Sequence, residues 1–180
     1  NRVALAFGTM KTNLATLVRT PQTLGNATIS MMIYGAMFGF IGIAPFIYRD
    51  VYGVTTGFAA VMATFGLGVI VAAYVNSRTV VRLGPARVQF LALLVLTATA
   101  LFCLALNLFG DMPLWQFHLC VTILMFTKGL IYSNTSTLAV DPHPGFAGLA
   151  SSVVGGFAML GSAGIAQIIG SFYRGNVTAV

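Results

Sequence analysis

Five long stretches of the chain are almost continuously apolar, and short polar connections separate them. The stretches cover about residues 27–48, 54–75, 88–109, 114–139 and 146–173. Each is close to the roughly 20 residues that a helix needs to cross a hydrocarbon layer of about 30 Å. The apolar positions do not alternate strictly, and the runs are about twice as long as a barrel strand. The pattern therefore predicts five transmembrane α-helices, which satisfy their backbone hydrogen bonds within lipid.

The connections carry residues that interrupt helices. Residues 49–53 join the first two spans, residues 110–113 precede the fourth span, and residues 141–145 precede the fifth. Thr20 and Pro21 have the N-cap and first-turn pattern of a helix start, so the first span is expected to begin there.

The first 20 residues differ from the rest of the chain. Arg2, Lys11 and Arg19 interrupt a moderately apolar stretch. We expect residues 1–20 to form a cytoplasmic linker or amphipathic surface segment. Residues 21–180 would then form the transmembrane bundle.

The composition agrees with a membrane protein. Hydrophobic residues make up 58% and charged residues 7% of the chain, against about 45–50% and 25% in typical soluble domains. So few charges cannot cover a soluble surface, and so many apolar residues exclude disorder. Neither a cluster with metal-ligand spacing nor a phosphate-binding glycine loop is apparent. The sequence therefore predicts no enzyme, no catalytic residue, no metal site and no cofactor.

Basic residues concentrate on one predicted side of the membrane. The first 20 residues carry three, and Arg78, Arg82 and Arg87 follow between the second and third spans. Two crossings separate these segments, so six basic residues share one side against two, Arg49 and Arg174, on the other. By the positive-inside rule the amino-terminal segment is cytoplasmic. Such charges could suggest nucleic acid, but their position beside the membrane favours topology determinants that touch anionic lipid headgroups.

Lys128 is the one formal charge inside a predicted span. It lies about 21 Å from the outer end of its helix, which suggests the inner half of the bilayer. It could snorkel to the inner headgroups, or it could face a wet central cavity. The cavity interpretation is favoured by the residues that share its helix face: Thr122, Met125, Gly129, Tyr132 and Ser136. Asn134 points elsewhere and could hydrogen-bond a neighbouring helix.

The first span has an adaptable apolar face, because Met31, Tyr34, Phe38 and Ile41 recur at helical spacing. This face could contact lipid or other helices, or it could bind an apolar ligand. Combined with the face around Lys128, it gives the predicted substrate cavity: Tyr34, Phe38, Met125, Lys128 and Tyr132.

Small residues recur at four-residue spacing in the first and fifth spans: Gly35 and Gly39, and Gly148, Ser152 and Gly156. In lipid, helices associate where small residues let their backbones approach closely. Helix packing is therefore expected, and bending of the fifth span at its glycines is the alternative.

Residues 76–87 resemble the cytoplasmic loop motif of the major facilitator superfamily, in which a short basic loop joins paired helices. They resemble the copy between the eighth and ninth helices, and more specifically that of the Bcr/CflA-type drug/proton antiporters. Residues 44–54, 134–148 and 150–155 are similar, respectively, to the end of that branch's seventh helix, its tenth-to-eleventh connection and the start of its eleventh helix.

This resemblance covers residues 21–173. It implies that the chain contains helices seven to eleven of the family, which are five of the six helices in its carboxyl-terminal half. The amino-terminal half and the last helix would then lie outside the sequence. It implies substrate binding between two halves that alternate access, with the proton-binding acids in the amino-terminal half. No acidic residue lies inside any predicted span, which fits this arrangement. The resemblance also implies a cytoplasmic gate at Arg78, Arg82, Gly84 and Arg87.

The sequence thus predicts part of a secondary transporter in the bacterial inner membrane. It would export drugs or other small apolar or amphipathic molecules by proton antiport, and so contribute to antibiotic resistance. Its partners would be the substrate, protons, the lipid bilayer and the rest of the same transporter, without nucleic acid. Two alternatives stay open: a metabolite transporter of the same superfamily, and a membrane subunit that scaffolds a partner without transport.

Overall fold

A computed structural model of the chain describes residues 7–110 and 112–172, so that Arg2, Asp111 and Arg174 lie outside the described residues. The described residues form helices, joined by short turns. The six α-helices are α1 (Phe7–Arg19), α2 (Pro21–Phe46), α3 (Phe58–Leu83), α4 (Pro85–Phe109), α5 (Leu114–Val140) and α6 (Ala147–Phe172). A π-helical segment, Ile47–Val51, continues α2, and a 3-10 turn, Pro144–Phe146, precedes α6.

Five of these helices, α2 to α6, are long and apolar enough to cross a membrane. Large apolar side chains such as Leu101 and Leu160, 61% and 81% exposed, cover their outer surface as in a lipid-facing protein. The predicted all-α membrane fold with five spans is therefore confirmed.

The start of α2 is confirmed at Pro21, whose missing N–H is tolerated in the first turn. Thr20 occupies the N-cap position, but its side chain does not cap α2. Its hydroxyl instead donates a hydrogen bond to the Thr16 carbonyl, 2.8 Å away in the last turn of α1. Thr20 therefore closes one helix and begins the next, with Leu17 of α1 buried beside this junction.

The prediction of a loop between the second and third spans is wrong, because most of these residues are helical. Helix α3 continues to Leu83, and α4 begins at Pro85, which leaves Gly84 as the sole residue between them. No glycine or proline interrupts residues 76–83, so nothing ends the helix before Gly84. Gly84 has φ 77° and ψ 156°, a conformation open to glycine alone. Gly84 is therefore a one-residue connection between the two helices.

Helix α5 lies at the centre of the bundle, because it packs extensively against α2, α3 and α4. Helix α2 also packs along α6 in the most extensive contact of the bundle. Side chains on several sides of α5 are therefore buried, among them Val121, Thr127, Ile131 and Thr135.

Hydrogen bonds show how the helices alternate in direction. The starts of α2 and α4 meet the ends of α3 and α5 at one end of the bundle. We call this the basic end, because Arg78, Arg82 and Arg87 lie there. The end of α2 meets the starts of α3 and α5 at the opposite end, where Arg49 forms an exposed ion pair with its neighbour Asp50.

Close approach between α2 and α6 depends on two glycines of α2. A Cβ atom placed on Gly35 would lie 2.5 Å from Cβ of Ile165, and one on Gly39 would lie 2.9 Å from Cβ of Ile169. The predicted packing role of Gly35 and Gly39 is therefore confirmed. On α6, by contrast, an added Cβ at Gly148 or Gly156 would meet nothing within 4 Å. The face of α6 that is buried carries Ala150, Val154, Ala158 and Ser162 instead.

Candidate functional site

Lys128 lies close to the middle of α5, whose 27 residues run from Leu114 to Val140. At 1.5 Å per residue, about 21 Å of helix precedes it and about 18 Å follows it. Lys128 therefore lies slightly nearer to the end of α5 that was predicted to be cytoplasmic, and its depth in the bilayer stays a prediction. The side chain is half-buried, and no described carboxylate forms an ion pair with it, since the one salt bridge among the described residues joins Arg49 to Asp50.

One aromatic ring lies beside the Lys128 ammonium, and two more rings pack against the first. Nζ lies 5.6 Å from the centre of the Tyr34 ring. The Tyr34 ring meets Tyr132 edge to face at 5.0 Å and stacks on Phe38 at 5.7 Å. We call these four residues the Lys128 cluster. A lysine at the centre of a membrane helix costs about 3 kcal/mol, and a cation–π contact returns about 0.5–2 kcal/mol, so the Tyr34 ring offsets part of this cost.

The larger of two cavities at this site has a volume of about 560 Å³. That volume falls within the range of about 300–1,000 Å³ that small-molecule sites occupy. Its walls come from α2, α4, α5 and α6, and they include Met37, Phe40, Met125 and Ile165. Lys128 is the charged residue in this otherwise apolar lining.

A smaller cavity of about 270 Å³ lies between α2, α5 and α6. Five of its lining residues carry hydroxyl groups: Ser30, Tyr34, Tyr132, Ser136 and Ser151. The two cavities therefore differ in character, one apolar with a single cation and one lined by hydroxyl groups. Because the ring of Tyr34 faces Nζ of Lys128, the Lys128 cluster adjoins both cavities.

The structure brings the five predicted cavity residues together only in part. Met125 and Lys128 line the larger cavity, whereas Tyr34 and Tyr132 line the smaller one. Phe38 lines neither cavity and is 38% exposed, although it stacks on Tyr34.

The polar face predicted on α5 divides between two surroundings. Gly129 packs against α3, where an added Cβ would lie 2.8 Å from Cβ of Ala72. Thr122 also faces α3, since a Cβ placed on Gly68 would lie 3.8 Å from the Thr122 side-chain methyl group. Residues three or four apart on a helix differ by 40–60° in direction, so a stripe of six positions reaches two neighbouring helices.

The predicted gate residues lie on helix ends rather than in a loop. Arg78 and Arg82 occupy the last two turns of α3, and Arg87 occupies the first turn of α4; all three are exposed. The Arg78 guanidinium lies 5.4 Å from the centre of the Tyr74 ring. Arg82 complements the negative end of the α3 dipole, whereas Arg87 opposes the positive end of α4. Helix stability therefore does not explain a basic residue at position 87.

At the basic end, a buried histidine pins the α5–α6 connection to α2. The Thr23 hydroxyl donates to the Ala139 carbonyl at 2.9 Å and lies 2.8 Å from His143 Nε2. Because that hydroxyl has one hydrogen, it accepts from Nε2–H, which fixes the tautomer of His143. Thr23 and His143 are 2% and 3% exposed, so the contact is sealed from solvent.

A chain of amide groups links α5, α2 and α4 at the same end. Gln22 donates to the Leu138 carbonyl at 2.9 Å, and Asn26 donates to the Gln22 carbonyl at 2.8 Å. Gln89 then donates to the Asn26 side-chain oxygen at 3.0 Å. These hydrogen bonds fix which side-chain atom is nitrogen and which is oxygen in Asn26 and Gln89. They leave Oε1 of Gln89 buried without a partner among the described residues.

Asn134 joins the ends of α3 and α5. Its side-chain nitrogen donates to Oδ1 of Asn76 at 2.6 Å and to the Leu130 carbonyl at 2.7 Å. The expected hydrogen bond from Asn134 to a neighbouring helix is therefore confirmed.

At the opposite end, His118 connects three helical segments. Thr64 donates its hydroxyl hydrogen to the Val61 carbonyl at 2.7 Å, so it accepts from His118 Nε2, 3.0 Å away. His118 Nδ1 is then the acceptor for the Tyr48 hydroxyl at 2.9 Å. Tyr48 is fully buried, and the network ties the π-helical end of α2 to α3 and α5.

Sequence reasoning missed these networks because their members stand 54 to 120 positions apart. Each histidine looked isolated in the sequence. One signal was present: Thr23 and Asn26 are polar residues three apart in the first turns of a membrane helix, so they share a face.

The chain is similar to two curated bacterial proteins. An uncharacterized MFS-type transporter, YdgK, of Bacillus subtilis is 26% identical over 173 residues, which cover 94% of this chain and 42% of the relative. A bicyclomycin resistance protein homolog of Haemophilus influenzae is 25% identical over 158 residues, which cover 86% of this chain and 39% of the relative. The chain thus spans about two fifths of the length of these relatives. No family model and no solved structure matches it.

Proposed function

Because the chain belongs to the major facilitator superfamily and its relatives support the Bcr/CflA-type branch, we propose that it forms part of a proton-driven exporter of drugs or other small apolar or amphipathic molecules. One relative is named a bicyclomycin resistance protein homolog. The observation that carries the proposal is a ligand-sized cavity that is walled by four spans and contains one cation, Lys128, near the middle of its helix. A scaffold subunit has no need of such a cavity.

The chain would supply the carboxyl-terminal half of the transporter. Substrate would bind at the Lys128 cluster and the cavities beside it, between this half and a second one, and the two halves would rock to alternate access. The described spans hold no buried carboxylate, so the proton carrier would lie in the other half. The basic end would face the bacterial cytoplasm, following the positive-inside rule.

The three exposed arginines would act as the cytoplasmic gate. Arg78, Arg82 and Arg87 project from two helices that meet at Gly84, without described acidic partners. They would pair with acidic groups or helix ends of the other half in one conformation and release them in the other. Arg87 supports this role best, since its position opposes the α4 dipole.

Reconstitution tests the proposal. The full-length protein is placed in proteoliposomes with bicyclomycin as the probe, and uptake is measured with and without an acidic lumen. Antiport predicts accumulation in the lumen of inside-out oriented protein, and loss of accumulation when nigericin collapses the gradient. Gradient-independent uptake would contradict antiport. No movement of any probe by folded, inserted protein would favour the scaffold alternative.

The gate has its own test. Arg87→Gln should alter the cytoplasmic accessibility of cysteines placed in the cavity and slow transport, whereas Lys11→Gln on α1 should not. Equal behaviour of the two variants would leave the arginines as topology determinants.

A further inference from the structure

One membrane-embedded cation stands beside hydroxyl groups and an apolar cavity. Resting on the proposed transport function, we propose that the ligand of this site is an amphipathic organic anion. Its anionic head would lie against Lys128, Tyr34 and Tyr132, and its apolar body would occupy the larger cavity.

The charge of the site favours an anion. Lys128 lies at the middle of α5, half-buried, and the described carboxylates Asp50 and Asp141 lie beyond the ends of α2 and α5. The Tyr34 ring contacts its ammonium through the ring face and supplies no counter-charge. A partly desolvated cation without a carboxylate attracts an anionic group more strongly than one in water, because the local dielectric constant is lower.

The hydrogen-bonding groups of the site favour the same head. Lysine supplies three donors and no acceptor. Tyr34 and Tyr132 hydrogen-bond each other, so one hydroxyl hydrogen of this pair is left to donate to a ligand. The smaller cavity adds further hydroxyl groups from Ser30 and Ser136. A carboxylate or sulfonate, which accepts several hydrogen bonds, therefore matches these groups better than an ammonium head does.

The larger cavity fixes what the rest of the ligand must be. Met37, Met125 and Phe40 line it with flexible or flat apolar surfaces, which accommodate bodies of different shape. Selectivity would thus come from the charge of the head and tolerance from the body. The site would prefer anions over cations of equal size while accepting varied ring systems.

A matched pair of probes tests this inference. Binding of 2-naphthalenesulfonate and of 2-naphthyltrimethylammonium to the purified full-length protein is measured by titration calorimetry. The anion should bind at least tenfold more tightly. Lys128→Gln should lower anion affinity at least tenfold, Lys128→Arg should change it less than threefold, and Lys11→Gln on exposed α1 should leave it unchanged.

A second variant keeps the test valid if Lys128→Gln fails to fold. Tyr34→Phe keeps the ring that faces the ammonium and removes only the hydroxyl, so it should weaken anion binding about threefold to tenfold. Equal binding of the two probes, a preference for the cation, or unchanged anion affinity in both variants would overturn the inference.

Its failure can be told apart from failure of the proposed function. Gradient-driven uptake of neutral bicyclomycin is measured with the same protein. Uptake without any preference between the naphthyl probes would overturn the anion site and support the transporter. Lys128-dependent anion binding without gradient-driven uptake would support the site and contradict antiport.

Discussion

Substitution of Gly35 by alanine tests the close packing of α2 against α6. The new Cβ would lie 2.5 Å from Cβ of Ile165, a branch point that cannot rotate away. Carbon atoms pack optimally at about 3.5–4.0 Å, so the two helices must separate by about 1 Å at this point. A gap of that size forfeits about a quarter to a half of each contact nearby.

The expected magnitude follows from two opposing effects. Overpacking of a tight interface costs about 1–3 kcal/mol, and exchange of glycine for alanine in a helix returns at most about 1 kcal/mol. Gly35→Ala should therefore destabilise the protein by about 1–2 kcal/mol. Gly42 lies in the same helix with nothing within 4 Å of an added Cβ, so Gly42→Ala should be neutral or slightly stabilising.

Reversible unfolding of the full-length protein in mixed micelles, titrated with dodecyl sulfate and followed by circular dichroism, measures both variants. Their free energies of unfolding should differ by about 2 kcal/mol. If Gly35→Ala proved as stable as Gly42→Ala, α2 and α6 would not approach as closely as the structure has them.

Three further perturbations follow from the contacts at the two ends of the bundle. Asn76→Leu, Asn134→Leu and their double variant should give a coupling energy of about 0.6–1.7 kcal/mol in the same unfolding assay; additive effects would contradict the hydrogen bond. His118→Phe should cost about 1–3 kcal/mol because it orphans the buried Tyr48 hydroxyl, and adding Tyr48→Phe should recover part of that loss. Gly84→Ala should lower the free energy of unfolding by about 1–3 kcal/mol, because φ at this position is positive. An unchanged unfolding curve would show that α3 and α4 join in another geometry.

The spans were predictable to within a few residues at most ends because lipid imposes one strong constraint. Every residue in the hydrocarbon layer must be apolar or paired, so apolar runs reveal helices directly. The start at Pro21 and the packing of Gly35 and Gly39 followed from equally local rules. These features depend on neighbours in sequence, which a single chain displays.

The connection around Gly84 was harder to predict, because polar residues outside the membrane do not distinguish helix from loop. Residues 76–83 carry charges and hydroxyl groups, which mark the boundary of the apolar run at Val75. The helix nevertheless continues, since exposed arginines are good helix formers in water. The end of hydrophobicity thus marks the membrane surface, and the end of the helix is set by Gly84.

The residues of the candidate site were predictable from the sequence, but their positions relative to one another were not. Helical spacing identified Lys128, Tyr34 and Tyr132, but it could not tell which neighbouring helix each would face. That choice depends on the rotation of α5 relative to α2 and α3, which small residues such as Gly129 set by contact with α3. Long-range contacts of this kind leave no periodic trace in one sequence.

Packing and the proposed site are connected through α6. Ile165 and Ile169 lie over Gly35 and Gly39, and the same two isoleucines line the larger cavity. The distance between α2 and α6 therefore sets the width of that cavity. Under the proposed function, each half would have to stay rigid while the halves move, and close glycine contacts would provide such rigidity without polar bonds. A substitution that spreads α2 from α6 should accordingly lower stability and alter ligand binding together, whereas Gly42→Ala should leave ligand binding unchanged.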